Sequence, residues 1–186
     1  MAEPTSRAAV FAALAQGQDL ARVRERFRLT PEELQGLFQE VAEHYEATAS
    51  ETWSLYCDGA SRGNPGPAGA GAVLVNPRGQ VQLQRGQYLG VTTNNVAEYR
   101  ALLLGLAAAQ ILGVKNIQVY SDSELLVRQI TGSYRVKAPH LLPLWQKAKK
   151  ELQKFETHAI SHVPREENSQ ADGLANRAID RKAATG

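Results

Sequence analysis

Asp58, Glu98, Asp122 and Asp172 lie far apart in the chain, yet each stands where a regular element begins or ends. Asp58 closes the apolar run WSLYCDG and precedes GASRGNPGPAGAG, a stretch dense in glycine and proline. Asp122 closes NIQVYSD just before SELLVRQIT. Glu98 and Asp172 fall in the opening turns of TTNNVAEYRALLLG and NSQADGLANRAID. Each has an everyday local explanation. Asp58 suits an Asp-Gly turn, Glu98 a capping box with Asn95, Asp122 a helix cap, and Asp172 an acid complementing a helix dipole. Taken together they suggest more, because two end strands and two open helices that should cross the same sheet. In α/β folds such ends gather at one crevice. Four carboxylates there would repel one another, and their pKa values would rise unless divalent cations neutralised them. All-oxygen ligation favours Mg²⁺ or Mn²⁺ over zinc. Cys-His zinc spacing is absent, and no GxxxxGK[ST] loop exists for a nucleoside triphosphate.

The elements that must hold these acids follow from patterning. WSLYCDG, GAGAVLVNP and QVQLQRGQYL read as three strands, the last two joined by a hairpin turn at Asn76-Pro77-Arg78-Gly79. NNVAEYRALLLGLAAAQILG reads as a helix so apolar that most of its faces must be covered. NIQVYSD is a strand and SELLVRQIT a helix; another helix runs roughly from Leu142 to Lys154, THAISHV returns as a strand, and a last helix follows. The order βββαβααβα implies an α/β fold with a mixed sheet covered by crossover helices.

Residues 1–50 read differently, as a small all-α module preceding a domain over 51–186. Two short helices carry Val10, Phe11 and Leu14, then Leu20, Val23 and Phe27. RLTPEEL is a start signal, with Thr30 as N-cap, Pro31 in the first position and Glu33 in the third. Leu34, Leu37, Phe38, Val41 and Tyr45 then mark one face of a longer helix ending near Ala47. Arg22, Arg24, Arg26 and Arg28 crowd the region before the turn. Either a nucleic-acid contact or a protein-docking role fits them.

Composition sets outer bounds. With 186 residues, 43% apolar and 22% charged, the chain suits one good core and a small appendage. No apolar run is long enough for a membrane span. The single cysteine, Cys57, reads as a small buried strand residue, and one thiol fits a reducing, cytoplasmic setting. MAEPTSRAAVFAALAQGQ lacks a secretory layout. Residues 1–50 hold five Arg against eight Asp and Glu; residues 51–186 hold sixteen Lys and Arg against eleven. If four of those eleven acids belong to one site, the remaining surface suits a polyanionic partner.

DGASRGNPGP, TTNNVAEYRALLLGL, VYSDSELLV and HVPREENSQADGLAN together resemble ribonuclease HI, in the branch lacking the basic protrusion, over roughly residues 53–180. The resemblance implies the ribonuclease H-like fold, a five-stranded mixed sheet flanked by helices. It implies endonucleolytic hydrolysis of the RNA strand of an RNA–DNA hybrid, leaving 5′-phosphate and 3′-hydroxyl ends, with two Mg²⁺ about 4 Å apart and Mn²⁺ able to substitute. Carried over motif by motif, Asp58, Glu98, Asp122 and Asp172 become metal-binding carboxylates, and His162 falls on the family's loop histidine. Asn64, Asn94 and Asn95 match positions that contact sugars and base edges, and Thr93 matches one in the DNA phosphate pocket. Other readings are a nucleic-acid-binding protein of this fold with little turnover and a related nuclease that also takes duplex RNA. The chain departs from better-known bacterial enzymes at TGSYRVKAPHLLPLW, where the aromatic-basic handle is missing, and at Glu124, where glutamine is expected.

Overall fold

The computed structural model describes residues 7–49 and 51–183, with side chains over 9–41 and 51–182. The chain divides into two compact units, Met1–Thr48 and Ala49–Gly186.

The first unit holds α1 (Arg7–Ala15), α2 (Leu20–Phe27) and α3 (Pro31–Ala49). Val10, Ala13, Val23 and Leu34 are its buried centre, with Leu14, Phe27 and Leu37 packed around them. The expected start signal of α3 forms. The Thr30 amide donates to Glu33 Oε2 at 2.8 Å, and the Glu33 amide donates to Thr30 Oγ1 at 3.1 Å. Two amides that the helix itself leaves unpaired are thereby satisfied. The stripe along α3 is only half used, since Leu34 is buried while Phe38 and Val41 remain exposed. Tyr45, expected on that stripe, has its side chain outside the described residues, as do residues 1–6 of the segment weighed as a leader.

The second unit follows the expected order: β1 (Thr52–Ser61), β2 (Gly66–Val75), β3 (Val81–Thr92), α4 (Asn94–Ile111), β4 (Asn116–Ser121), α5 (Glu124–Thr131), α6 (Leu142–Leu152), β5 (Thr157–His162) and α7 (Ser169–Ala183). One sheet runs β3-β2-β1-β4-β5. The first three strands pair antiparallel, and β4 pairs parallel with both β1 and β5. The β2–β3 turn is held by Asn76 Oδ1, which accepts from the Arg78 and Gln80 amides, while Gly79 takes a φ of 77°. That left-handed corner suits glycine.

Alternation along β2 sorts its two faces. Ala70, Ala72 and Leu74 face the main core with Leu55, Cys57, Leu102 and Leu106 from β1 and α4. Gly69 and Gly71 face the other way, toward α7. A Cβ on either would overlap a carbonyl oxygen of α7, Ala175 for Gly69 and Ala171 for Gly71. The GPAGAG sequence thus lets the α7 backbone lie directly on the sheet. Cys57 is fully buried, and burial pushes its thiol well above the ordinary range. Among the described residues, no helix is long and apolar enough to cross a membrane.

Candidate active site

Strand register fixes two of the four acids. Tyr56 of β1 pairs with Tyr120 of β4 in parallel, so Asp58 and Asp122, each two residues further on, emerge level at neighbouring strand ends. Asp58 also sits opposite Gly71 in the antiparallel pair, and Gly71 is where α7 touches the sheet at Ala171. The next residue of α7 is Asp172. Glu98 comes from α4, whose start packs on Gly59 so closely that a Cβ there would overlap the Glu98 nitrogen. Asp58, Glu98, Asp122 and Asp172 therefore line one cavity of about 310 Å³, together with Asn94 and Arg165.

The helix caps differ from the sequence expectation, and the difference frees two acids. Thr93, not Asn95, caps α4, its hydroxyl accepting from the Val96 amide at 3.4 Å. Glu98 is left out of any capping box. Its carboxylate accepts instead from the Gly59 amide at 3.2 Å and from Asn94 Nδ2 at 3.4 Å. Ser123 likewise caps α5 in place of Asp122. Asp122 accepts from Asn168 Nδ2 at 2.6 Å, and Asp172 is paired with Arg165 at 2.6 Å.

Electrostatics in the cavity are unfavourable as they stand. Burial, then the charges of Asp122 and Asp172 and a hydrogen bond with Asp122, push Asp58 up to about 7, against a partial pull downward from Arg165. Burial, then Asp58 and Asp122, push Glu98 well above the usual carboxylate range, though the Gly59 amide and Asn94 oppose this. Among the described residues, no three His, Cys, Asp or Glu side chains draw close enough to enclose a metal ion unaided. The donor set nonetheless fits a hard divalent cation: four carboxylates, all oxygen, share the lining with two arginines, of which Arg62 is paired with Asp180 and Arg165 with Asp172. Added positive charge in the cavity would relieve what raises Asp58 and Glu98.

A pH dependence follows. The folded pKa of Asp58, about 7, lies well above the 3.8 of a free aspartate, so the folded state binds the proton more tightly than the unfolded chain. That stability is fully present below about pH 4 and is lost as pH rises through about 7, a change on the order of a few kcal/mol. Thermal midpoints in EDTA should therefore fall for this group between pH 5 and 8, and millimolar Mn²⁺ should flatten the trend.

Sequence comparison places this geometry among known proteins. The chain matches the family described as reverse transcriptase-like over residues 56–178. Ribonuclease HI of Halobacterium salinarum is 45% identical over 125 residues, 67% of this chain and 63% of that protein. Ribonuclease H of Coxiella burnetii is 37% identical over 143 residues, covering 68% of this chain and 88% of that one. The chain belongs to the ribonuclease HI family. LC11-RNase H1, solved in complex with an RNA/DNA hybrid, superposes on it with a TM-score of 0.67 at 41% identity, over 70% of this chain and 99% of that one. This chain spans under two thirds of the Halobacterium protein's length.

In this ribonuclease HI relative, the remaining expected residues are distributed as follows. Asn64 Oδ1 accepts from the Asn94 amide at 3.2 Å, which ties the SRGNPG loop to the start of α4 beside capping Thr93. Asn95 is exposed and lines a neighbouring groove with Leu125 and Tyr134. His162 is exposed at the last position of β5 and is not among the residues lining the carboxylate cavity. Arg165, three residues later, does line it, as does Arg62. Glu124, the unexpected acid, is paired with Arg128 at 2.5 Å.

Sequence reasoning missed Arg165 and Asn168. Asn168 is 1% exposed, and its Nδ2 also donates to the Cys57 carbonyl at 3.0 Å, so it joins Asp122 to β1. Its Oδ1 is buried without a partner. Within HVPREENSQAD only the acids and His162 carried a chemical signal. Asn168→Ala is expected to lower turnover about 10- to 100-fold with little change in KM, because Asp122 loses its fixed orientation. Steady-state kinetics on a hybrid substrate would check this.

Proposed function

We propose that the chain hydrolyses the RNA strand of RNA–DNA hybrids internally, leaving 5′-phosphate and 3′-hydroxyl ends. The observation that carries this reading is the convergence of Asp58, Glu98, Asp122 and Asp172 on one cavity in a ribonuclease HI family chain. The hybrid seen with LC11-RNase H1 supports the same substrate here. Asp58, Glu98, Asp122 and Asp172 would hold divalent cations, Mg²⁺ foremost with Mn²⁺ able to substitute, which when bound supply positive charge at a phosphate and a more acidic water.

The chain's own residues supply position. Asp58, raised by the charges of both Asp122 and Asp172, lies between them in the cavity's electrostatics. Asn168 orients Asp122, and the Gly59 amide and Asn94 orient Glu98. Arg165 holds a planar guanidinium fork in the cavity lining, which matches a phosphate as well as it matches Asp172. His162, exposed at the end of β5, would carry a proton between solvent and the reacting strand. Asn64, Asn94 and Asn95 offer donor and acceptor together, as a 2′-hydroxyl requires, and Thr93 would meet the DNA phosphate.

A substrate panel tests the reading. The full chain is incubated with Mg²⁺ and end-labelled hybrid, duplex RNA and duplex DNA of one sequence. Internal cuts confined to the RNA of the hybrid are expected. Cutting of duplex RNA at a comparable rate would widen the substrate class, and binding without cuts would overturn the assignment.

A further inference from the structure

Charge in the first unit is sharply segregated along the sequence. Between residues 20 and 30 stand four arginines against one acid, Glu25; between 31 and 49 stand five glutamates and no Lys or Arg. All four arginines are exposed, while Val23, between the two flanks they occupy, is fully buried. Arg22 and Arg26 are one turn apart on one flank of the Val23–Phe27 stripe, and Arg24 lies on the other. At about 1.5 Å of rise per residue, Arg22 and Arg28 are about 9 Å apart along the axis. That spans two or three phosphates of one strand at about 3.4 Å each.

Helix stability explains only part of this set. Arg24 and Arg26 fall in the last turn of α2, where cations complement the dipole. Arg22 falls in the first turn, where a cation opposes it, and its pair with Asp19 at 3.3 Å is exposed and of little consequence for folding. Arg28 is harder to explain structurally. It caps α2 in the left-handed region, at φ 54° and ψ 39°, and is the sole non-glycine residue with positive φ among the described residues. Glycine is the usual occupant of such a cap because a Cβ is disfavoured there. An arginine kept in a glycine position points to a use for its side chain.

The basic residue type narrows the partner. The first 50 residues hold five Arg and no Lys, whereas seven of the sixteen basic residues in 51–186 are Lys. Arginine forks match phosphate oxygens in pairs. We propose that the exposed arginines of α2 and its cap, Arg22, Arg24, Arg26 and Arg28, which flank the buried stripe on both sides, grip the phosphate backbone of a nucleic-acid duplex and so tether the carboxylate site to its substrate. The proposed nuclease activity is needed only for which duplex is cut. Tethering raises the effective concentration of substrate at the second unit without altering its chemistry.

The test measures binding of the full chain to a fluorescein-labelled hybrid and to duplex DNA of equal length, by anisotropy in EDTA, across a salt series. The variant R22Q/R24Q/R26Q/R28Q is expected to bind both duplexes at least about tenfold more weakly at 0.1 M salt, with a log–log salt slope shallower by about 2 to 3. With Mg²⁺, KM for the hybrid should rise while kcat stays unchanged. Arg28→Gly separates binding from folding: α2 amides should exchange more slowly as the left-handed cap is relieved, yet duplex affinity should fall. Unchanged affinity and salt slope in both variants overturn the proposal, as does a loss confined to a variant whose α2 has unfolded. If hybrid is never cut yet duplex binding depends on these arginines, the proposal stands and the nuclease reading fails. Normal cutting with arginine-independent binding means the reverse.

Discussion

Replacing Asp58 by asparagine is expected to lower hybrid cleavage by at least about 1,000-fold while raising the thermal midpoint of the metal-free protein. Both effects have one cause. Asp58 is 4% exposed, and its carboxyl is pushed up to about 7 by burial, Asp122 and Asp172. At pH 8 the folded protein must hold that charge against its surroundings. Asparagine keeps the shape and removes the charge, so the metal-free fold should gain on the order of 2–4 kcal/mol at pH 8. A gain of that size raises the midpoint of a domain this size by about 2–4 °C per kcal/mol. The same substitution removes an acid whose charge is felt by Glu98 and which itself feels Asp122 and Asp172. Scanning calorimetry in EDTA and a single-turnover assay would read the two halves. A destabilised Asp58→Asn protein would contradict the electrostatic account, and a stable but active one would contradict the role.

Gly59→Ala should damage both stability and turnover. Its methyl group would overlap the backbone of Ala97 and Glu98, and neither can turn aside as a flexible side chain could. Over-packing of this kind costs about 1–3 kcal/mol in ordinary cores, and a rigid backbone neighbour places this case at or above the upper end. Displacing the start of α4 also shifts Glu98 relative to Asp58 and strains the hydrogen bond from the Gly59 amide. A shift of about 1 Å in such a site lowers turnover about 100-fold. Gly36→Ala is the control. Gly36 is exposed within α3 with nothing within 4 Å of a Cβ, so its replacement should stabilise the first unit by about 0.5–1 kcal/mol. Chemical denaturation of both variants, with hybrid cleavage measured alongside, would separate them. Equal midpoints would mean that the α4–β1 contact yields more easily than its geometry requires.

Much of the catalytic unit was legible because its signals are local and repeated. Strand alternation, the Asn76–Gly79 turn and the apolar length of α4 each specify an element without help from the rest of the chain. The four acids could be placed at one crevice because strand ends and helix starts in such a fold meet there. Competition among near-equivalent neighbours was not legible. In TTNNVAE four consecutive residues can cap a helix, and the end of β3 at Thr92 is what hands the cap to Thr93. That choice sets Glu98 free. Arg165 and Asn168 were invisible for a related reason, since they belong to a single 3-10 turn, Arg165–Asn168, too short to show a periodic pattern. A histidine draws notice by its chemistry, yet the cavity is lined by an arginine three positions later. Buried polar connectors such as Asn168 carry no pattern at all.

The most direct test of a carboxylate cluster that needs a divalent cation is titration calorimetry of Mn²⁺ into the full chain near pH 7, in two buffers of different ionisation enthalpy. Because Asp58 is part-protonated there, saturable binding should release protons, so the observed heats should differ between buffers in proportion to those enthalpies. Asp58→Asn should abolish both the proton release and the binding. Absence of saturable binding, or binding that is buffer-independent and survives in Asp58→Asn, would show that these four acids do not form a cation site.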